Sequence, residues 1–296
     1  MSAARLIGVD WGTSNLRVFP IGDDGRVLDL RTDPRGAGEL LAGQFAGVLD
    51  QVAGDWLDAG LPVRICGMAG ARGRWREMPY RSCPASIDDL ARGLERPDPA
   101  RDIAIVPGVA VMDAGGLVDV MRGEETQMMG LFAAGDDGVA VGPGTHSKWA
   151  VVRDGRIEAF RTFMTGELFA AIRQASVLSP DMAEDGGDDE AFLRGVERGL
   201  SDPAITAALF SVRVETLAGR LPTSGAGDYL SGLLIGAEIA AQPAERRRDR
   251  VVVVGAADLA RRYELALAAA GFTTVEIADA TEATARGLWR IWKATT

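Results

Sequence analysis

The sequence predicts an α/β protein built from two related halves, and three observations carry that expectation. A turn rich in Gly, Ser and Thr follows a strand-forming run twice, at 6–18 and again at 139–152. Each turn opens a three-strand meander whose second turn also repeats, as Asp23-Asp24-Gly25 in the first half and Asp154-Gly155 in the second. Behind each meander the apolar residues shift to helical spacing. Duplication of one meander-plus-helix unit accounts for all three.

Each element follows from local pattern. Apolar residues at 6–10 and 15–21 read as a hairpin, and 26–32 as a third strand. Leu40, Leu41, Phe45, Val48, Leu49, Val52 and Trp56 recur at helical spacing, which predicts a helix over 38–59. A short buried strand at 62–66 feeds the turn Gly67-Met68-Ala69-Gly70, and a helix over 87–94 precedes a strand at 102–107. In the second half, strands are expected at 138–141, 149–153 and 155–160, then a helix over 167–175 and an acidic loop at 181–190. Helices at 191–199, 204–218 and 229–241 precede Val251-Val252-Val253-Val254-Gly255, a run apolar enough for a strand buried on both faces. A helix over 257–270, a strand at 274–277 and a helix from 281 to about Lys293 complete the chain.

Composition narrows the function. The 296 residues fit one large domain or two ordinary ones. A net charge of −10 argues against nucleic acid, which is held by clustered Lys and Arg. The basic run Arg246-Arg247-Arg248-Asp249-Arg250 is short and reads as a solvated loop. Two cysteines, Cys66 and Cys83, make no disulfide framework. No apolar run approaches the ~18 residues of a membrane span, and the N-terminus enters a strand without a leader pattern, so a cytoplasmic protein is expected.

The two turns carry the chemistry. A hairpin of this kind gathers backbone N–H groups and hydroxyls into a space that suits phosphate oxygens. Asp10 at the mouth of the first adds a hard carboxylate of the kind that holds Mg²⁺, although an Asx turn would equally account for an Asp there. Two such turns about a domain apart imply a nucleotide gripped from both sides.

The layout resembles the actin/Hsp70/sugar-kinase superfamily. Its phosphate-1 hairpin is matched by Ile7-Gly8-Val9-Asp10-Trp11-Gly12-Thr13-Ser14, its phosphate-2 hairpin by Gly142 to Ser147, and its adenosine motif by 251–258, where Gly255 is followed by Ala256-Ala257. Within it the chain is similar to the 2-dehydro-3-deoxygalactonokinase family. The matching segments are Asp10-Trp11-Gly12-Thr13-Ser14, Gly67-Met68-Ala69-Gly70, Pro79-Tyr80 with Cys83-Pro84-Ala85, Met121-Arg122-Gly123-Glu124-Glu125-Thr126-Gln127, Pro143-Gly144-Thr145-His146-Ser147-Lys148-Trp149 and Met164-Thr165-Gly166-Glu167-Leu168-Phe169. The resemblance implies two duplicated ribonuclease-H-like domains with an active-site cleft between them, at 1–118 joined by the helix 281–296, and at 119–280. It implies ATP and Mg²⁺ as cofactors, and transfer of phosphate to the 6-hydroxyl of 2-dehydro-3-deoxy-D-galactonate. A small sugar acid and ATP are then the partners, without nucleic acid or membrane, and a homodimer is the candidate assembly.

On that reading Asp10 is the metal ligand and Gly12, Thr13, Ser14, Gly144, Thr145, His146, Ser147, Lys148 and Gly255 contact ATP. The adjacent acids Glu124 and Glu125 stand where a catalytic carboxylate is needed, with Asp10, Asp113 and Asp119 as rivals; acids at a helix start also offset its dipole. His146 equally fits a structural turn residue, and Lys148 a solvated strand residue. Arg72, Arg74, Trp75 and Arg76 form a basic and aromatic loop suited to a substrate carboxylate, since guanidinium matches that group with two parallel hydrogen bonds. A surface loop is the alternative. Glu167 is placed with substrate hydroxyls or at a helix N-terminus, with Thr165 its cap. The rival functions are an exopolyphosphatase-type phosphohydrolase or another small-sugar kinase on the same scaffold, and a non-enzymatic ATP switch.

Overall fold

The computed structural model describes residues 3–182 and 187–296; residues 183–186, inside the expected acidic loop, lie outside them. In chain order the elements of the first half are β1 (Leu6–Trp11), β2 (Leu16–Ile21), β3 (Arg31–Asp33), α1 (Phe45–Leu57), β4 (Val63–Gly67), β5 (Tyr80–Ser82), α2 (Ile87–Arg92), β6 (Ile103–Ile105), β7 (Gly108–Asp113), β8 (Gly116–Met121) and α3 (Glu124–Leu131). Those of the second are β9 (Gly138–Gly142), β10 (Ser147–Arg153), β11 (Arg156–Phe163), α4 (Thr165–Ala175), α5 (Asp189–Ser201), α6 (Ile205–Leu209), α7 (Ser211–Leu217), α8 (Thr223–Ala240), β12 (Arg250–Val254), α9 (Ala257–Ala269), β13 (Thr274–Ala278) and α10 (Ala280–Lys293). Two five-stranded sheets have orders β3-β2-β1-β4-β6 and β11-β10-β9-β12-β13, so the second repeats the first position for position. The duplicated mixed-sheet α/β fold read from the two turns is what the chain forms.

The chain divides into two compact units, Met1–Ala140 with Ala150–Arg161 and Ala278–Thr296, and Val141–Trp149 with Thr162–Ile277. The division falls beyond the expected 118/119 boundary. The reason is local: β8 pairs antiparallel with β7, and α3 packs on α10, which belongs to the first unit. That helix pair is close because glycine lies on both sides. A methyl group at Gly287 would stand 1.9 Å from the Thr126 carbonyl oxygen, and one at Gly130 1.8 Å from that of Ala283.

In the first unit β1 is central, antiparallel to β2 and parallel to β4. Five of its six residues are buried, as an interior strand demands. Trp11, Phe45, Leu49, Ile65 and Ile105 belong to the core between this sheet and α1. A third sheet, β5-β7-β8, was not anticipated. Its β5 spans only three residues, but Asp113-Ala114-Gly115-Gly116 is a hairpin signal that marks the β7–β8 turn.

Other departures have equally local causes. The third strand is three residues at 31–33 rather than 26–32, because the Asp29 carboxylate accepts from the Leu30 N–H and competes with the sheet ladder. The helix expected from 38 starts at Phe45, after a short 3-10 turn in which the Gln44 side chain accepts from the Leu41 N–H. In the second unit the stretch 204–218 divides into α6 and α7 at Phe210. The buried residues of α5 to α8, among them Ala191, Val212, Leu230 and Leu233, form a separate helical core. Cys66 and Cys83 are both free thiols. No helix among the described residues is long and apolar enough to cross a membrane.

Candidate active site

The first unit gathers three carboxylates at the carboxyl ends of its parallel strands, where open α/β sheets place their ligands. Asp10 on β1 lies opposite Cys66 on β4, and Trp11 opposite Gly67. Gly67 turns the chain away with φ +88°, and a methyl group on it would meet the Trp11 carbonyl oxygen at 2.6 Å. Gly123, with φ +111°, approaches Gly67 from the start of α3. Only residues without a Cβ tolerate these conformations and this approach, and the result brings Glu124 and Glu125 to Asp10.

The three acids are not equivalent. Asp10 accepts from Arg17 Nη1 at 3.0 Å. Burial pushes its carboxyl above the ordinary carboxylate value, Arg17 pulls against that shift, and the Glu124 charge adds to it. Glu125 is fully buried. It accepts from the Gly123 N–H at 2.6 Å and the Thr126 hydroxyl at 2.9 Å, and desolvation first, then Glu124, raise its pKa to about 7. Glu124 is half-buried, and its carboxylate accepts from the Arg122 N–H at 3.2 Å. Beneath them the Cys66 thiol is held protonated by burial, with Asp10 and Glu125 adding to the effect. Asp113 and Asp119 are not members of this group. Asp113 caps the exposed β7–β8 turn through the Gly115 N–H, and Asp119 accepts from the Val120 N–H.

The basic loop separates into distinct positions. Trp75 packs against Trp11 and Phe45 with ring centroids 5.9 and 5.8 Å away, so it belongs to the edge of the core. Arg74 Nη1 donates to the Leu40 carbonyl, and Arg76 is paired with Glu95 at 2.8 Å. Arg72 is exposed and has no polar partner among the described residues. Arg122, which sequence reasoning quoted but assigned no role, donates to the Met78 carbonyl and lies 4.4 Å from the Tyr80 ring centroid. It ties the end of the basic loop to the start of α3.

In the second unit the β9–β10 turn borders a cavity of about 460 Å³. Gly144 and Thr145 line it together with Thr165 and Gly166 at the start of α4, and Asp228, Asp258, Arg262 and Tyr263 from α8 and α9. Thr13 and Ser14, at the tip of the β1–β2 turn, are exposed, and the turn is closed by the Gly12 N–H donating to the Asn15 carbonyl at 2.9 Å. His146 is half-exposed and paired with Glu167. Ser147 is fully buried, its hydroxyl given to Glu238 at 2.7 Å, and Lys148 is buried and donates to the His146 carbonyl. Gly255 ends β12 beside Pro143 of the turn. Asp228 and Arg262, an ion pair lining the cavity, and Glu238 behind it were missed. Glu238 is an isolated acid in the apolar stretch Leu233-Leu234-Ile235-Gly236-Ala237-Glu238-Ile239, and that oddity was the available signal.

Two sheets of one strand order, each with a glycine-rich hairpin, define the actin/Hsp70/sugar-kinase class of ATPase fold. The fold is shared by the activator of the 2-hydroxyisocaproyl-CoA dehydratase from Clostridium difficile, solved with bound ADPNP, at TM-score 0.53 and 14% identity over 98% of this chain and 95% of that one. The sequence profile of 2-keto-3-deoxy-galactonokinase matches residues 10–291. The 2-dehydro-3-deoxygalactonokinase of Escherichia coli (strain K12) is 36% identical, over 94% of each chain. A Rhizobium meliloti (strain 1021) protein assigned the same name is 42% identical, over 97% of this chain and 96% of its own. A crystal structure from Sinorhizobium meliloti described under that name superposes with TM-score 0.84 and 39% identity, covering 98% of both chains. This chain belongs to the 2-keto-3-deoxy-galactonokinase family, and is thereby a kinase, a phosphotransferase with an alcohol acceptor.

Proposed function

We propose that the chain transfers the γ-phosphoryl group of ATP to the 6-hydroxyl of 2-dehydro-3-deoxy-D-galactonate, with Glu124 as the carboxylate that orients or deprotonates that hydroxyl. The observation that carries the assignment is the inequality of the paired acids: Glu125 is sealed in and committed to Gly123 and Thr126, whereas Glu124 is partly open and adjacent to Asp10. A base must reach its proton, so the outer acid takes the role. Glu125 holds the Gly123 N–H and thereby the start of α3.

Among the described residues no group of three or more His, Cys, Asp or Glu side chains is arranged to hold a metal ion. Mg²⁺ needs no such cage, because one or two carboxylates complete their octahedron with waters and substrate phosphates. Asp10 fits that use, since the nearby Glu124 charge that adds to its raised pKa is a repulsion that a divalent cation on Asp10 relieves. When bound, Mg²⁺ neutralises charge on the β- and γ-phosphates. Gly12, Thr13 and Ser14 offer the first hairpin's donors to phosphate oxygens, and Gly144 and Thr145 the second's. The cavity beside the second hairpin is of a size to take the nucleoside. Arg72, the arginine of its loop without a partner, pairs with the substrate carboxylate; Arg74, Trp75 and Arg76 shape that loop. Transfer then rests on positioning and electrostatics.

ADP release from Mg-ATP, measured with a panel of sugar acids varied at C4 and with the carboxylate reduced, tests the reading. Release that depends on a keto-deoxy acid is expected, whereas release indifferent to any acceptor would favour a phosphohydrolase.

A further inference from the structure

Behind the second hairpin lies a polar cluster that neither the sequence motifs nor the reaction has used. Glu238, 3% exposed, sits in the last turn of α8 among apolar neighbours. Its Oε1 accepts from the Ser147 hydroxyl at 2.7 Å and from the Trp149 indole N–H; its Oε2 accepts from the Tyr263 hydroxyl at 2.9 Å and from the Thr165 hydroxyl. A carboxylate has about four lone-pair sites, and here four protons meet them, so an ionised group is fully satisfied although buried. Burial pushes its pKa up while every one of the four donors pulls down.

The four donors come from three separate segments. Ser147 and Trp149 begin β10 immediately after the hairpin, Thr165 opens α4, and Tyr263 is on α9. Two of these segments form adjoining walls of the cavity. Gly166 on α4 approaches so near that a methyl group there would stand 2.4 Å from the Gly144 carbonyl oxygen, and the Glu167 N–H donates to the Thr145 carbonyl at 3.0 Å. Gly144, Thr145, Thr165, Gly166 and Tyr263 all face the cavity, and Glu238 joins their supports from the far side.

We propose that Glu238 is a positioning residue for the nucleotide: by drawing the Ser147, Trp149, Thr165 and Tyr263 donors onto one buried carboxylate, it fixes the second hairpin and the start of α4 in the spacing that accepts the phosphate-bearing end of ATP. The inference rests on the reading that this cavity takes the nucleotide. It also gives Ser147 a different task from phosphate contact, because its single proton points inward. Glu238→Gln replaces one acceptor oxygen by an NH₂ group. Hydroxyls can rotate to receive it but the Trp149 N–H cannot, so the amide nitrogen must face Thr165 and Tyr263, and the charge-assisted bonds that hold the α4 wall become weaker neutral ones.

The test uses the full-length chain, with ADP and Mg²⁺ titrated calorimetrically and steady-state kinetics run alongside. Glu238→Gln is expected to weaken ADP binding and raise the KM for ATP roughly tenfold, while the KM for the sugar acid stays within about twofold. Trp149→Phe removes one donor from a residue that does not line the cavity, and should weaken ADP binding about threefold; it decides the matter if Glu238→Gln does not fold. A merely structural role would lower Tm and either leave ADP affinity intact or raise both KM values together. Wild-type ADP affinity in folded variants would overturn the inference and leave the kinase reading standing. Absence of ADP binding by the wild-type protein would overturn both.

Discussion

At the scale of single residues, the proposed chemistry rests on three carboxylates in one small space with different burial and different partners. Asp10 is nearly buried and its carboxyl is raised chiefly by desolvation, which its pair with Arg17 offsets only in part, so its negative charge is a net expense to the fold. Asp10→Asn should therefore leave thermal unfolding within a few degrees of wild type while turnover falls by orders of magnitude; near-normal turnover at saturating Mg²⁺ would remove Asp10 from the metal site. Glu124→Gln should lower kcat by roughly 10²–10⁴ with ATP affinity retained. Glu125 behaves oppositely. Its folded-state pKa of about 7 lies above the ordinary 4.5, so the native state holds the proton more tightly than the unfolded chain. Its stabilising contribution is whole below about pH 4.5 and is lost as pH rises through about 7, with about 3 kcal/mol at stake by linkage. Glu125→Gln should flatten that decline and match or exceed wild-type stability at pH 8, read by denaturant unfolding at pH 5 and pH 8. A variant that declines with pH as steeply as wild type would show that Glu125 is not the group responsible for the decline.

At the scale of elements, glycine sets where α3 begins and how near it packs. Gly287→Ala would drive a methyl group into the Thr126 carbonyl oxygen and part α10 from α3. Overpacking of this kind costs about 1–3 kcal/mol, and because α3 carries Glu124, kcat should fall along with Tm; an unchanged Tm would mean that the helices relax freely. The loop 71–77 makes a second element-scale prediction. Arg72→Ala should raise the KM for the acid roughly tenfold or more without moving that for ATP, whereas Arg74→Ala and Arg76→Ala should act weakly through loop order; identical acid KM values in all three would reduce the loop to surface. What was legible in the sequence follows the same division. Both hairpins and the duplicated meander were readable because turn residues and strand periodicity are local signals. The β5-β7-β8 sheet escaped because β5 is only three residues long and pairs parallel with a strand well removed in sequence. The partners of Glu238 and the Asp228–Arg262 ion pair escaped because they meet across 25 to 91 residues and 34 residues of chain. The inequality of Glu124 and Glu125 escaped because neighbours in sequence need not share burial.

At the scale of the whole molecule, two repeats of one α/β unit have diverged in what they carry. The first unit holds the carboxylates and the basic loop, and the second holds a nucleoside-sized cavity walled by helices that the first does not have. That division matches the proposed roles, acceptor chemistry at one hairpin and nucleotide grip at the other. Family membership fixes the reaction class as transfer to an alcohol rather than to water. The most direct test is the product itself. The chain is incubated with Mg-ATP and 2-dehydro-3-deoxy-D-galactonate, and the phosphorus and its coupled protons are followed by NMR. The account predicts one ADP per acid consumed and a phosphate monoester coupled to the C6 protons. ATP consumed to inorganic phosphate at the same rate with and without the acid, or phosphate carried on any other hydroxyl, would contradict it.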